Sequence, residues 1–323
     1  MRPKVVVILG PTATGKSALA LELARSFRGE IISADSMQVY RLMDIGTAKP
    51  PPEVRREVPH HLIDVVWPDE DFSAGLFRRY AEEAISEIVA RGKVPIVAGG
   101  TGLYIKALTE GLVEGVEGNP EVRRWLKEEA ERVGPRGLWE RLREVDPQSA
   151  ARVHPHDLYR ILRALEIYHC TGTPASALRG RHRFSERPYE TLKIGLWRPR
   201  ETLYRRIDQR VEEMIKGGLR DEVKGLLERG YSPELKSMRS IGYRQMVEHL
   251  QGVYPLEEAS RRMKRDTRRF AKRQMTWFKR DPEIHWLSYP EERDRIMELV
   301  ADFLTRAPTE QEGADGGKTE ETH

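Results

Sequence analysis

The sequence predicts an α/β fold in which helices pack against a parallel β-sheet. Short runs of β-branched and other apolar residues, typical of strands buried on both faces, occur at 5–9, 31–34 and 94–98. Between them lie segments, such as 17–27 and 76–90, whose apolar residues recur every three or four positions. Alternation of these two patterns is typical of parallel strands joined by helical crossovers.

The strand pattern is interrupted in the middle of the chain. Residues 61–66 are a further candidate strand, but after Gly118 no strand pattern returns until 192–197. The sequence between them has helical periodicity and begins with Asn119-Pro120, a typical helix start. We therefore predict that a helical domain is inserted into the α/β sheet.

Three parts follow from these patterns. The α/β core is expected over residues 1–115 and 190–305, with a basic helical region at its C-terminal end. The helical insertion is expected over 116–189. Residues 308–323 carry five acids against one lysine and have no apolar periodicity, which predicts a disordered acidic tail.

The composition is typical of a globular protein that functions in water, with 39% hydrophobic and 33% charged residues among 323. No run approaches the ~20 apolar residues that cross a bilayer, and no signal-peptide pattern precedes the first strand. The single cysteine, Cys170, excludes an internal disulfide, and no zinc-ligand spacing occurs. We expect a cytoplasmic monomer with no membrane partner.

The segment GPTATGKS, from Gly10 to Ser17, fits the phosphate-binding pattern GxxxxGK[ST] between a strand and a helix. Its glycines allow backbone N–H groups to turn inward around phosphate oxygens, and the helix N-terminus adds partial positive charge. Lys16 supplies a full charge, and Ser17 is a candidate Mg²⁺ ligand. The motif predicts a P-loop NTPase-like sheet that binds phosphate; the alternative is a degenerate loop that has lost its ligand.

Two further polar segments follow predicted strands, at the sheet edge where ligands of such folds bind. Asp35 is suited to order a magnesium-bound water or accept a proton from a nucleophile; the alternative is a cap for the next turn. Thr101 lies among Gly99, Gly100 and Gly102, which let a ligand approach the backbone. The alternative for this segment is a tight turn that Thr101 caps.

Positive charge is concentrated late in the chain. Between Arg261 and Arg280, ten lysines and arginines stand against one acid, Asp266. Because a solvated helix face normally balances its cations with acids, we predict a helix that binds a polyanion. Arg206 and Arg210 lie one helical turn apart and are candidates to hold the far side of a phosphate, or are ordinary surface arginines.

Three functions fit these residues. A small nucleotide kinase would use the P-loop, Asp35 and mobile arginines, but it explains neither the basic helix nor the insertion. A non-catalytic nucleotide switch that binds RNA does not need Asp35 and Thr101 beside the loop. Transfer of another group to a nucleic acid, with diphosphate leaving from the P-loop, accounts for all of them.

Eight motifs occur in an order that resembles the bacterial tRNA dimethylallyltransferases. They are GPTATGKS, SADSMQVYR, GTAKP, HHLIDV, VAGGTGLY, RALE, RIDQRV and SIGYRQ, and the resemblance covers about residues 4–287. The first motif alone is weak for this family, but the joint set is highly specific. Adenylate isopentenyltransferases share the early motifs and act on free nucleotide, and the basic C-terminal region argues against them.

The resemblance implies that the P-loop holds dimethylallyl diphosphate. The prenyl group would pass to the exocyclic N6 amine of adenosine 37, beside the anticodon, in tRNAs that read codons beginning with U. It implies Asp35, Thr101 and Lys16 as catalytic residues, and Mg²⁺ bound by Ser17 as cofactor. The implied diphosphate site consists of Gly10, Pro11, Thr12, Ala13, Thr14, Gly15, Lys16, Ser17, Arg206 and Arg210.

The resemblance also implies a surface that grips the anticodon stem-loop of tRNA. Its members come from six segments of the chain: Asp35, Ser36, Met37 and Gln38; Thr101; Arg123; Tyr159, Arg160, Ile161, Leu162 and Arg163; Arg239, Ser240, Ile241, Gly242, Tyr243 and Arg244; and Arg268, Arg269, Lys272 and Arg273.

Overall fold

The computed structural model describes residues 2–112, 118–182 and 186–307. In chain order its elements are β1 (Lys4–Leu9), α1 (Lys16–Ser26), β2 (Gly29–Ser33), α2 (Pro52–Glu57), β3 (His60–His61), α3 (Ala74–Ala90), β4 (Val94–Gly99), α4 (Gly102–Glu110), α5 (Pro120–Val145), α6 (Pro147–Ala150), α7 (Leu158–Thr171), α8 (Ala175–His182), β5 (Glu190–Leu196), α9 (Arg200–Lys216), α10 (Leu219–Glu228), α11 (Tyr243–Leu250), α12 (Leu256–Phe278), β6 (His285–Leu287) and α13 (Arg293–Thr305). The predicted tail over 308–323 lies outside the described residues. Within them, no helix is both long and apolar enough to cross a membrane.

The six strands form one parallel sheet in the order β3-β2-β4-β1-β5-β6. β1 lies between β4 and β5, and its residues Val6 and Ile8 are fully buried. They share a hydrophobic core with Leu19 and Leu23 of α1 and with Ile296 of α13. Helices therefore cover the sheet, and the predicted α/β fold class is confirmed.

The predicted strand over 61–66 is wrong beyond its first residue. β3 consists of His60 and His61 alone, which pair with β2. Immediately afterwards, Leu62 (φ 63°) and Asp64 (φ 57°) adopt left-handed backbone conformations that are incompatible with a continuous strand. Val66 then makes an isolated bridge to Tyr40. Residues 62–66 therefore form a loop and not a strand.

Contacts divide the chain into two compact units. The core unit comprises the described residues of 2–71, 83–102 and 188–307, and it holds the whole sheet. The helical unit comprises those of 72–82 and 103–187.

The helical unit contains no strand among its described residues. Asn119 caps α5, since its side chain accepts the N–H groups of Glu121 and Val122. The helix breaks at Gly134 (φ 73°), and its second half begins at Pro135. This unit also includes 72–82 and the described residues from 103 onward, which lie before the predicted boundary at 115. The domain boundaries at 115 and 190 stay predictions.

Candidate functional site

The loop between β1 and α1 turns through three residues with positive φ angles: Gly10 (136°), Ala13 (64°) and Gly15 (109°). A β-carbon on Gly10 would lie 2.5 Å from the backbone oxygen of Leu196, so a side chain has no room there. Successive N–H groups around such turns converge and bind anions. The helix α1 begins directly afterwards, at Lys16, and adds the partial charge of its N-terminus.

A glutamine of α12 connects this loop to the neighbouring strand end. The Gln274 side-chain oxygen accepts the N–H of Thr12 at 3.0 Å, and its amide donates to the carbonyl of Gly100 at 2.9 Å. A β-carbon on Gly100 would lie 2.2 Å from the Gln274 amide nitrogen, so Gly100 is required by this contact. No sequence motif marked Gln274, whose partners lie far away in the chain.

Two arginines fix the backbone of the same loop. Arg206 donates through Nε to the carbonyl of Ala13 at 2.9 Å. Arg198, whose side chain is only 7% exposed, donates to the carbonyls of Thr14 and Tyr289. Arg198 was not predicted, because a single arginine after a strand carries no distinctive pattern. The contacts with the Ala13 and Thr14 carbonyls hold the loop in one conformation without using any of its N–H groups.

Lys16, Arg210 and Asp35 interact electrostatically at this edge of the sheet. The pKa of Lys16 is lowered to about 7, mainly by burial and further by the positive charge of Arg210, while Asp35 opposes the shift. Burial also lowers the pKa of Arg210, against the raising effect of Asp35. Lys16 Nζ meanwhile donates to the carbonyl of Pro11 at 2.6 Å. Two partly desolvated cations against one carboxylate favour an anionic ligand.

We expect diphosphate binding to weaken as the pH rises above about 7, because Lys16 is then neutral in the free protein. An anion in the loop favours protonated Lys16, so binding takes up a proton above that pH, and affinity falls by up to about tenfold per pH unit. Calorimetric titration with inorganic diphosphate from about pH 6 to 9 tests this. Lys16→Arg, which stays charged, is the control for ionisation of diphosphate itself; equal pH slopes for the two proteins would contradict the assignment.

The parallel pairing of β2 with β4 brings Asp35 and Thr101 together. Thr101 Oγ1 accepts the N–H of Ser36 at 3.0 Å. Asp35 Oδ1 accepts the N–H of Met37 at 2.8 Å, which is the turn-capping contact considered as an alternative from the sequence. None of the described residues donates a hydrogen bond to Asp35 Oδ2, so that oxygen remains available to a substrate.

Gln38 lies in a fixed orientation beside this pair. Its side-chain oxygen accepts the hydroxyl of Ser33 at 2.8 Å, and its amide donates to the carbonyls of Thr47 and Ala48, both at 3.3 Å. The position of Gln38 therefore depends on the loop that contains the GTAKP motif.

A single carboxylate holds that loop. Glu222 of α10 accepts the backbone N–H groups of Asp44 (2.9 Å), Ile45 (2.7 Å) and Gly46 (3.2 Å), together with the hydroxyl of Tyr243 (2.6 Å). Tyr243 is fully buried, and a β-carbon on Gly46 would lie 2.5 Å from its ring. The prediction that Tyr243 contacts tRNA is wrong for its side chain, because the buried ring supports this loop instead.

We expect Glu222→Ala to lower the free energy of unfolding by about 2–4 kcal/mol, because three backbone N–H groups and a buried hydroxyl lose their charged acceptor. Tyr243→Phe removes one of these four hydrogen bonds and keeps the ring, so it should cost about 1 kcal/mol. Urea unfolding of both variants tests the difference. A loss for Glu222→Ala no larger than that for Tyr243→Phe would mean that the carboxylate does not organise the loop.

The segment 239–244 supplies other predicted contacts. Arg239 is exposed and lies 3.6 Å from Glu234, and Arg244 is exposed and lies 3.1 Å from Asp266. Gly242 is buried and has a φ angle of 99° at the start of α11, so its prediction as a tRNA contact is corrected to a structural role. The exposed arginines remain candidates.

The basic helix α12 carries more counter-charge than the sequence indicated. Its first half forms these ion pairs: Arg261 and Arg262 with Glu258, Lys264 with Glu212, Arg265 with Asp266, and Arg268 with Asp208. The inference that acids are missing is therefore wrong for this half, because they come from one turn earlier in α12 and from α9. In the second half, Lys272 and Arg273 have no ion-pair partner among the described residues, and the same holds for Lys279 and Arg280.

In the helical unit, the predicted residues of α7 divide between core and surface. Ile161 is fully buried in the core of the unit, so the prediction that it contacts tRNA is wrong. Arg163 and Arg123 both pair with Glu166, whose side chain is 2% exposed. Tyr159, in contrast, is 80% exposed. The predicted residues with solvent-facing side chains are Arg123, Tyr159, Arg160 and Arg163.

A sequence profile described as IPP transferase matches residues 38–281, more than half of the chain. The chain belongs to the IPP transferase family. A second profile, described as isopentenyl transferase, matches residues 3–64. The chain is similar to tRNA dimethylallyltransferase 2 of Geotalea uraniireducens, with 55% identity over 301 residues that cover 93% of this chain and 97% of the relative. The tRNA dimethylallyltransferase of Geobacter metallireducens is 54% identical over 302 residues, which cover 94% of this chain and 98% of that relative.

Solved structures of the family support the same assignment. The tRNA isopentenylpyrophosphate transferase of Bacillus halodurans is 40% identical, with a TM-score of 0.70 over 94% of this chain and 97% of that one. A eukaryotic dimethylallyltransferase acting on tRNA is 32% identical, with a TM-score of 0.82 over 96% of this chain and 81% of that one. The predicted family and the predicted class of prenyl-transferring enzyme are confirmed. The site residues that were not corrected above stay predictions.

Proposed function

We propose that this enzyme transfers the dimethylallyl group of dimethylallyl diphosphate to the N6 amine of adenosine 37 in tRNA. The observation that carries the proposal is the cluster of Lys16, Arg210 and Asp35, which offers two cations to a diphosphate and one carboxylate to an acceptor amine. The names of the relatives support tRNA as the acceptor. One chain carries all of these groups, so we propose a monomer, and its single cysteine suits the cytoplasm.

The donor half of the reaction needs negative charge to be stabilised on the leaving diphosphate. Breakage of the allylic C–O bond develops that charge, and the free loop N–H groups and Lys16 would stabilise it. Between the two predicted arginines, Arg210 is the better candidate for the clamp, because its charge acts directly on Lys16. Arg206 uses Nε to hold the Ala13 carbonyl, so its first contribution is to the loop itself.

Mg²⁺ fits this site as an ion shared with diphosphate. No cluster of three or more His, Cys, Asp or Glu residues in the described ranges could hold a metal. The exposed Ser17 hydroxyl makes no hydrogen bond to any described residue. Mg²⁺ often takes only one or two protein ligands and completes its coordination shell with phosphate oxygens and water. Ser17 would hold the ion, which when bound would neutralise charge on the leaving diphosphate.

The acceptor half requires the adenine to leave the anticodon-loop stack and reach Asp35. The N6–C bond forms as the C–O bond breaks, and Asp35 Oδ2 takes the proton that the amine loses. The Thr101 hydroxyl, which accepts the N–H of Ser36, keeps its own proton to donate to the substrate. Gln38 offers amide groups suited to a base edge.

A prenyl-transfer assay tests the proposed function. Purified protein, Mg²⁺ and radiolabelled dimethylallyl diphosphate are incubated with unmodified tRNA, and with adenosine monophosphate in parallel. We expect label in tRNA. Label in the free nucleotide alone would overturn tRNA as acceptor, and transfer of phosphate from ATP without prenylation would overturn the reaction itself.

Two cations of α12 should respond differently to loss of charge. Because Lys272 lacks an ion-pair partner among the described residues, Lys272→Gln should reduce the slope of log RNA affinity against log salt concentration by about one. Arg268 already pairs with Asp208, so Arg268→Gln should change the slope less and lower the thermal midpoint. RNA binding over a salt series and thermal unfolding measure both effects; equal changes in slope would contradict the distinction.

A further inference from the structure

The core unit contains a cavity of about 570 Å³ that none of the predicted diphosphate residues lines. The cavity opens between the end of β5, the start of α9 and the second half of α12. Its wall combines three aromatic rings with basic side chains. The residues that matter here are Trp197, Tyr204, Trp286, Arg200, Lys272 and Lys279.

Strand pairing places two indole rings on one side of the sheet edge. In the register of β5 and β6, Gly195 is paired with Trp286, and Trp197 follows Gly195 by two residues. The ladder continues to Trp197, whose N–H donates to the carbonyl of Leu287 at 3.2 Å. Residues two apart in a strand face the same way, so Trp197 and Trp286 share a face.

The glycine in this register makes room for the aromatic surface. A β-carbon on Gly195 would lie 2.8 Å from the Trp286 ring, so the ring packs where a side chain would otherwise be. The Trp197 side chain nevertheless stays 41% exposed. A large exposed indole beside a second ring is a surface on which a planar group can stack.

Four cations line the cavity, and one of them, Arg198, pairs with Glu291. Lys272 and Lys279 have no ion-pair partner among the described residues, in contrast to the paired first half of the helix. Arg200 lies over the Tyr204 ring, 5.2 Å from its centre, and no described carboxylate pairs with it. The cavity thus offers positive charge to an anion and flat apolar rings to an aromatic group.

We propose that this cavity holds one unstacked nucleotide of the RNA acceptor, other than the adenosine that is modified. Its base stacks on Trp197, and its phosphate lies against Lys272 and Lys279. Stacking on aromatic side chains beside a cationic track is how proteins bind single-stranded RNA. The proposal rests on the proposed function, because the same RNA must supply the nucleotide.

The first test compares Trp197→Ala with Trp67→Ala, a control in which a tryptophan of similar exposure (42%) outside the cavity is removed. For unmodified anticodon stem-loop RNA, we expect Trp197→Ala to weaken equilibrium binding about tenfold and Trp67→Ala to leave it near the wild-type value. The KM for dimethylallyl diphosphate should not change. Lys279→Gln should instead reduce the salt slope by about one.

The second test identifies the nucleotide with RNAs that carry an abasic site at one loop position at a time. At one abasic position, which is not the modified adenosine, the wild type should lose RNA affinity by the same factor as Trp197→Ala loses on the intact RNA. With that abasic RNA, Trp197→Ala should bind as well as the wild type, as in a double-mutant cycle. If the wild type binds and prenylates the RNA but Trp197→Ala binds it equally well, this proposal alone fails. A raised KM for dimethylallyl diphosphate with unchanged RNA affinity would also overturn it. A wild type that neither binds nor prenylates the RNA would overturn the proposed function as well.

Discussion

Replacement of Asp35 by asparagine is expected to slow prenyl transfer by about 10²–10⁴-fold while RNA affinity stays within about threefold of wild type. The asparagine side-chain oxygen can still accept the N–H of Met37, so the turn after β2 is preserved. What the substitution removes is the second carboxylate oxygen, which we propose takes the proton from the adenosine amine. The effect should therefore fall on the chemical step.

The measurement pairs single-turnover prenylation with equilibrium RNA binding. Asp35 raises the pKa of Lys16, so its removal would also lower the charge on that lysine near neutral pH. Rates should therefore be compared at about pH 6 as well as at neutral pH, because a larger fraction of Lys16 is protonated at the lower pH in both proteins. Asp35→Ala, which also loses the turn contact, serves as the comparison variant. Equal losses of rate and RNA affinity in Asp35→Asn would make Asp35 a binding residue.

Replacement of Lys16 by methionine is expected to lower kcat/KM for dimethylallyl diphosphate by at least about 10³-fold. Methionine fills a similar volume, so the charge is removed with little change in packing. Arg210 would then be the one side-chain cation left of the electrostatic cluster around Asp35. Because charge on diphosphate grows as the C–O bond breaks, kcat should fall together with the affinity for the donor.

Steady-state kinetics over a range of donor concentrations separate these two effects. Arg206→Gln is the matched comparison, because Arg206 supports the loop through the Ala13 carbonyl. It should cost less in kcat than Lys16→Met. A wild-type kcat in Lys16→Met, with only KM raised, would show that the lysine binds the donor without stabilising its departure.

The parts of this fold that the sequence predicted are those with local patterns. β1 and the phosphate loop have contiguous signatures, and the structure agrees with both. The prediction of a strand over 62–66 was wrong because the apolar composition of this segment resembles that of a strand. The left-handed conformations of Leu62 and Asp64 are set by surrounding contacts instead. β6 was missed because three residues are too few to establish a periodicity.

The supporting residues of the site could not be predicted for a different reason. Gln274, Glu222 and Arg198 act on backbone groups that are distant in sequence, and no spacing rule connects them with those partners. The charge balance of α12 was misjudged in the same way. Asp208 of α9 is 60 residues away from Arg268, so counting charges along one helix could not find it.

The bridge made by Gln274 has a consequence for when the glycine loop gains its hydrogen-bond partner during synthesis of the chain. Its side chain completes the hydrogen bonding of the Thr12 amide across 262 residues of sequence. Synthesis proceeds from the N-terminus, so the ribosome releases the glycine loop long before the helix that supports it. A growing chain therefore carries the complete phosphate motif before it contains the glutamine that accepts the Thr12 N–H, and that contact forms only after α12 has emerged and docked.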